Sequence, residues 1–396
     1  MTTPSPESLW QGYSGRIFIA ITIGWAGLQL GRGVIPPLLP TIMESLAFSP
    51  FLAGVALTVL AVANAACQFL GGRFADAWSR KTIIALALAV LIGGLAVLTI
   101  AVTYALFLAG VALVGIAAGL FFAPMRAALA DVFIARRGEA YGVNEGVGAA
   151  ATVGVAGLAA VLLLGGYWRV AFLPGLLIGI VGLVVLHRWH AESYVVRRAE
   201  IQFRQTFSGL LRNPITLVLL CAYSLVIFAM QGVFGFLPAM LQAERAFSPS
   251  AASLAYALIF VTGAFGMPLA GTVSDRVDRL AMAVGVTALA AIGLIVITLG
   301  NSVGLIVLGI VIFATGLLGF PPVMQSYLMG RFPDATMARD FGGFKTVYVG
   351  VGSLGPLYVG ATAEVTGYVP AFWGLAACLF VSGLLIASVR IWIGSS

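Results

Sequence analysis

The chain has 396 residues, the length of about two or three soluble domains, but 61% are hydrophobic, 9% are charged and the mean hydropathy is +1.07. A soluble protein carries about 25% charged residues, so this composition excludes a water-facing surface and requires one that faces lipid. The net charge of +7 would fit a nucleic-acid binder, but most basic residues lie in segments between apolar runs that would share one side of a membrane, which accounts for the charge without that partner.

A spanning helix needs about 20 mostly apolar residues. In chain order such runs fall at 17–41, 50–73, 82–102, 105–130, 140–164, 170–187, 215–241, 250–273, 280–299, 303–328, 341–363 and 370–391. The predicted class is therefore an all-α membrane protein of twelve transmembrane helices. The first run holds Arg32, Pro36 and Pro37 and reaches Pro40; a signal-peptide core would be shorter and uninterrupted, so a retained first span is expected. Within it Trp25, Gln29 and Arg32 follow i, i+4, i+7 spacing, a polar stripe on one face of an apolar helix. An arginine at the bilayer centre costs about 2.5–3.5 kcal/mol on insertion scales, so such a residue faces a water-filled cavity or a partner. Arg32 is accordingly the leading candidate for a substrate-binding cation.

Arg126 lies toward the end of the fourth run, and either lines the cavity or belongs to a gate. Asp131, five residues on, is badly placed to pair with it. Glu145 is the one carboxylate well inside a run, with Thr152 on its face seven residues on. It is either a proton-coupling group or a gate partner of Arg276 or Arg279. The polar stretch 187–213 carries five arginines and both histidines, and reads as a linker lying against anionic headgroups. In the second half, Gln231, Gln325, Lys345 and Tyr348 are the polar groups expected at a binding site. Lys345 fits a cavity and a gate equally. The stretch Gly350–Pro356 reads as close packing and a kink. Cys67, Cys221 and Cys378 lie in apolar runs, and no metal or cofactor spacing is visible.

If both termini face the cytoplasm, sixteen Lys and Arg fall in inner segments, two (Arg169 and Arg245) in outer loops, and Arg32, Arg126 and Lys345 within spans. That bias sets the expected orientation in a cell membrane.

The chain also repeats itself. Ala47-Phe48-Ser49-Pro50 recurs as Ala246-Phe247-Ser248-Pro249, an offset of 199 at which Gly72, Asp76 and Arg80 match Gly271, Asp275 and Arg279. Two tandem bundles are expected, at 1–186 and 214–396, joined by a linker at 187–213. The segment from Gly72 through Asp76 to Arg80 and Lys81 resembles the loop between the second and third helices of the major facilitator superfamily, and Gly271–Arg279 resembles its degenerate copy. Ser79 stands where that family usually has glycine. The resemblance implies a monomeric transporter with alternating access. Gly72, Asp76, Arg80, Lys81, Asp275, Arg276 and Arg279 are then the expected gate, with Gly72 allowing close helix approach and Asp76 latching to Arg80 or Lys81.

Three cations against one carboxylate inside the spans favour an anionic substrate, and a small organic anion such as a carboxylate is the expected cargo, by proton symport through Glu145 or the substrate itself. The alternative is a proton-coupled drug exporter. Relatives of that kind often carry an arginine before a glycine early in the fourth helix, where this chain has Val111 before Gly115, and a Gly-Pro-containing fifth helix, where this one has Gly146, Gly148, Gly154 and Gly157 without proline. A membrane enzyme would need a catalytic constellation, which the sequence does not show.

Overall fold

A computed structural model describes residues 8–162, 167–196, 213–274, 276–331 and 337–395. In chain order its helices are α1 Gly12–Gly33, α2 Ile35–Leu46, α3 Pro50–Ala77, α4 Arg80–Thr99, α5 Tyr104–Val132, α6 Arg137–Leu162, α7 Leu173–Trp189, α8 Pro214–Arg245, α9 Pro249–Ser274, α10 Arg279–Leu299, α11 Val303–Met329, α12 Met337–Gly352, α13 Gly355–Thr366 and α14 Tyr368–Ser395. A 3-10 turn, Trp168–Phe172, leads into α7. Helices occupy every segment where the sequence predicts a span. Among the described residues nine are long and apolar enough to cross a bilayer alone, and the α1–α2 pair, bent by 41°, makes a tenth. The bend follows from Pro36 and Pro37, which lack the N–H groups needed to continue the α1 ladder. The eleventh span is broken at Ser353–Leu354, between α12 and α13. A Cβ on Gly352 would lie 3.1 Å from the backbone of Ile227, and Gly355 abuts the Phe228 carbonyl, so the stretch 350–356 does pack closely and kink.

The helices form two compact units. One holds the chain up to Leu38 and resumes at Val59, running into the linker; the other holds Leu39–Thr58 with the second half of the chain. This differs from the even division expected from the repeat, because residues 39–58 pack within the second unit. There a Cβ on Gly54 would lie 3.2 Å from Gly360 Cα, and the Phe51 N–H donates to Glu364 at 2.8 Å. Of the predicted linker, residues 197–212 lie outside the described residues.

The 199-residue repeat extends into the geometry. Ala47 and Ala246 are the two non-glycine residues with positive φ among those described, at 50° and 52°. Ser79 caps α4 by accepting the Thr82 N–H, and its counterpart Asp278 caps α10 by accepting the Ala281 N–H. Ser79 thus gives α4 its start where glycine would leave a backbone donor unpaired. Thr103 and Ser302 cap α5 and α11 in the same way. The helix seams repeat too. A Cβ on Gly94 of α4 would sit 3.1 Å from the Gly110 carbonyl of α5, and one on Gly293 of α10 2.8 Å from the Gly309 carbonyl of α11. Lipid tails are as apolar as side chains, so spanning helices hold together by such close packing rather than by expulsion of water.

In the first unit α1 and α7 meet through a third seam. Gly24 faces Gly182, Gly27 faces Gly179 and Gly31 faces Gly175, with a Cβ on Gly27 only 2.9 Å from the Gly179 nitrogen. The residue numbers of each pair add to the same total, so the helices run antiparallel in fixed register. The two arginines in the predicted outer loops are staples. Arg169 donates to the Ala101 carbonyl at 2.8 Å and Arg245 to that of Thr298.

Candidate functional site

In the first unit α1, α5 and α6 bring several predicted site residues together. Arg126 of α5 donates to Glu145 of α6 at 2.6 Å, and its guanidinium lies 5.0 Å from the ring centres of Phe122 and Tyr141. Tyr141 in turn donates to the Arg126 carbonyl at 2.9 Å. The pair is 39% and 44% exposed. Ion pairs so exposed stabilise a fold by about 0–1 kcal/mol, so the fold does not require this one; its exposure in a spanning segment marks contact with water rather than lipid. Glu145 is therefore partnered by Arg126 within its own unit, where the sequence left Arg276 or Arg279 as its gate partner, and Asp131, poorly spaced for Arg126, pairs with Arg80 at 3.1 Å.

Above the pair, Trp25 of α1 is 5% exposed, stacks on Phe121 and abuts Gly148 of α6. Thr22 donates to Asn144 at 3.1 Å, and Asn144 donates to Met125 Sδ at 3.4 Å. Three atoms here are buried without a hydrogen-bond partner: Trp25 Nε1, Gln29 Oε1 and Arg126 Nε. Each leaves hydrogen-bonding capacity for a ligand. Arg32 stands half-buried in the last turn of α1, beside the bend.

The expected gate distributes differently. A Cβ on Gly72 would meet only Ala123, at 3.8 Å, whereas one on Gly71 would lie 3.1 Å from Leu120 Cα, so the close helix approach belongs to Gly71. The side chain of Asp76 and all of Asp275 lie outside the described residues. Lys81 is 6% exposed, and its Nζ donates to the carbonyls of His187 and His190, at 3.2 and 2.6 Å, where a cation satisfies the last turn of α7. Glu192 accepts the Lys81 N–H at 3.2 Å, and Val195 donates to Thr82 Oγ1 at 3.0 Å, so the strap 190–196 is docked on the start of α4. In the second unit Arg276 is exposed and Arg279 donates to the Ser326 carbonyl at 3.4 Å.

The strap should loosen in acid. Burial lowers the pKa of His190, against the opposing effect of Glu192, and Lys81 lowers it further. Undocked, His190 protonates near its usual 6.5; docked, it resists protonation, so stability is full above that pH and falls as the pH drops through it. Hydrogen exchange corrected for intrinsic rates should show lower protection of 190–196 at pH 5.5 than at pH 7.5. His190→Phe should remove the difference.

The second unit gathers a neutral cluster. Tyr223 of α8 stacks on Tyr348 of α12, with ring centres 4.0 Å apart, and its hydroxyl lies near the Gln325 side chain of α11. Phe320 and Phe344 pack edge-on against Tyr223. Lys345 and Gln231 are half-buried on α12 and α8. Tyr223 was not predicted. Its signal was its place two helical turns before Gln231, on the same face, with a hydroxyl that requires a partner inside a span.

The sequence model of the Major Facilitator Superfamily matches residues 21–356, and again 247–393. The chain belongs to the major facilitator superfamily. Solved structures with the same fold include the nucleoside transporter NupG (14% identical, 94% of this chain and 99% of that one, TM-score 0.77). A bacterial homologue of the human lysosomal transporter Spinster is 16% identical over 96% and 97%, with TM-score 0.76. The human organic anion transporter MFSD10 is 19% identical over 95% and 100%, with TM-score 0.67. No curated protein sequence matches the chain significantly. As a member of the superfamily, this chain is a multi-pass membrane transporter.

Seen as the superfamily's two repeats, the polar residues are asymmetric. At the 199-residue offset Arg32 corresponds to Gln231 and Arg126 to Gln325. The first repeat therefore carries arginine where the second carries a neutral amide.

Proposed function

We propose that the transporter moves a small organic anion, such as a carboxylate, by alternating access, and that Arg126 and Arg32 attract its charge. The observation that carries this reading is the Arg126–Glu145 pair: it is exposed inside a span, and Arg126 Nε remains buried without a partner. An anion can take the unfilled donors of Arg126 and compete with Glu145. Protonation of Glu145 would release the guanidinium to the substrate, which couples proton and anion in one direction. Trp25 and Gln29 would orient the cargo from α1. Gln231, Gln325, Tyr348 and Lys345 would contribute its neutral contacts and a further cation. The superfamily fold accommodates nucleosides and organic anions alike in the relatives above, so the choice among cargoes rests on these charges. Both termini are proposed to face the cytoplasm of a cell membrane, from the distribution of Lys and Arg, and the protein to act as a monomer.

The test is stabilisation of purified protein by a panel of small carboxylates and a panel of lipophilic cations. Binding to the folded state at a hundredfold excess over Kd is worth about 2.7 kcal/mol. A carboxylate that raises the unfolding temperature of the wild type but not of Arg32→Ala supports the reading. Stabilisation by lipophilic cations alone, equal in Arg32→Ala, would replace it with drug export.

A further inference from the structure

We propose that the first unit holds one anionic glycerophospholipid, with an acyl chain in a groove beside the α1–α7 seam and the phosphate against Arg16 and Arg188. The groove has a volume of about 430 Å³ and is walled by Ile19, Ile23 and Ala26 of α1, Val147 of α6, and Ile178 and Val181 of α7. That size falls among small-molecule sites, about 300–1,000 Å³, but the lining is wholly apolar. The one hydroxyl nearby, that of Thr22, is turned onto Asn144. Such a groove suits a hydrocarbon chain and offers nothing to a polar body.

One end of the groove is different. Along α1 the series Arg16, Ile19, Ile23, Ala26 follows 3-4-3 spacing, and along α7 the series Ile178, Val181, Val185, Arg188 follows the same spacing. Each arginine therefore lies on the face that lines the groove. The glycine register sets Arg188 opposite Phe18, within a turn of Arg16, so both cations stand at the same end. Both are exposed, and neither has a hydrogen-bond or ion-pair partner among the described residues. Trp10, which closes this end, is 64% exposed and Tyr13 is 50% exposed. Tyr13 accepts the Ala191 N–H at 3.2 Å, which ties this end of α1 to the end of α7. Aromatic rings with an apolar body and a polar tip settle at the headgroup level. Two unpaired cations at that level, directly below an apolar groove, match a headgroup carrying net negative charge joined to an acyl chain. A neutral lipid would leave the arginines unused, and a free phosphate would leave the groove unused.

Native mass spectrometry of the delipidated full chain, titrated with dioleoyl phosphatidylglycerol or dioleoyl phosphatidylcholine, tests this. One phosphatidylglycerol should be retained with an apparent affinity about thirtyfold above phosphatidylcholine, about fivefold for each arginine. Arg16→Ala/Arg188→Ala should bring phosphatidylglycerol down to the phosphatidylcholine level. Val181→Trp fills the groove from a site that is 49% exposed, so folding is not at stake, and it should weaken both lipids about tenfold. Equal retention of the two lipids by the wild type would overturn the proposal, as would a headgroup preference that survives in the double variant. Undiminished binding to Val181→Trp would mean headgroup adsorption without a groove, and would overturn it too.

Discussion

Arg126→Ala should cut anion uptake into proteoliposomes by about ten- to a hundredfold, the range for losing a charge-assisted hydrogen bond to a ligand. It should leave the folded yield nearly unchanged, because the Arg126–Glu145 pair is half-exposed and contributes little to the fold. Arg126→Lys is not a conservative replacement. Lysine keeps the charge but loses the planar fork that meets Glu145 and lies against the Phe122 and Tyr141 rings, and it should recover only part of the activity. Glu145→Gln separates the roles of the two partners. If Glu145 carries the coupling proton, the glutamine variant should still exchange labelled for unlabelled anion but no longer accumulate it against a gradient. Full accumulation by Glu145→Gln would remove it from the coupling step, and wild-type uptake by Arg126→Ala would remove the pair from the binding site.

The largest loss of stability should come from Gly293→Leu. A Cβ there would lie 2.6 Å from Phe313 Cα and 2.8 Å from the Gly309 carbonyl, so the obstruction is the backbone of α11. Side-chain rotation cannot relieve it, and the two helices must separate. Overpacking of this kind costs about 1–3 kcal/mol and sometimes more, and a spanning helix pair has no water-driven term to offset it. The repeat provides an internal check, because Gly94→Leu should do the same to the α4–α5 seam. Gly304→Leu, in α11 itself, meets nothing within 4 Å and should behave as wild type. Size-exclusion profiles after a heating series would compare all three. Leucine is the better helix former at both sites, so equal losses from Gly293→Leu and Gly304→Leu would show that the seam does not set the effect.

Most of the architecture was legible because the bilayer leaves few choices. Spanning segments must satisfy their own backbone hydrogen bonds, so length and apolarity alone locate α3, α4, α8 and α10. The repeat was legible because Ser49-Pro50 and Ser248-Pro249 both read as helix starts, whereas the left-handed backbone at Ala47 and Ala246 was not, since alanine carries no sign of it. The site was only partly legible. Periodicity placed Trp25, Gln29 and Arg32 on one face, and a charge inside a span flagged Arg126 and Glu145. Which charges would meet was not readable, because pairing between helices depends on their register. That register gave Asp131 to Arg80 and Glu145 to Arg126. Lys81 shows the same limit: its spacing resembled a gate, but its position beside the last turn of α7 made it a cap for His187 and His190.

By itself, then, the amino-acid sequence determined the membrane class, the positions of the spans, the tandem repeat and the superfamily, since each follows from local hydropathy or a short motif. Only the tertiary structure decided that Gly71 rather than Gly72 makes the close approach, that Tyr223 joins Tyr348 and Gln325, and that residues 39–58 pack within the second unit. Those outcomes depend on helices meeting at separations of a few ångströms. There a single backbone atom decides which side chains touch, and no pattern along one helix records the register of its neighbour.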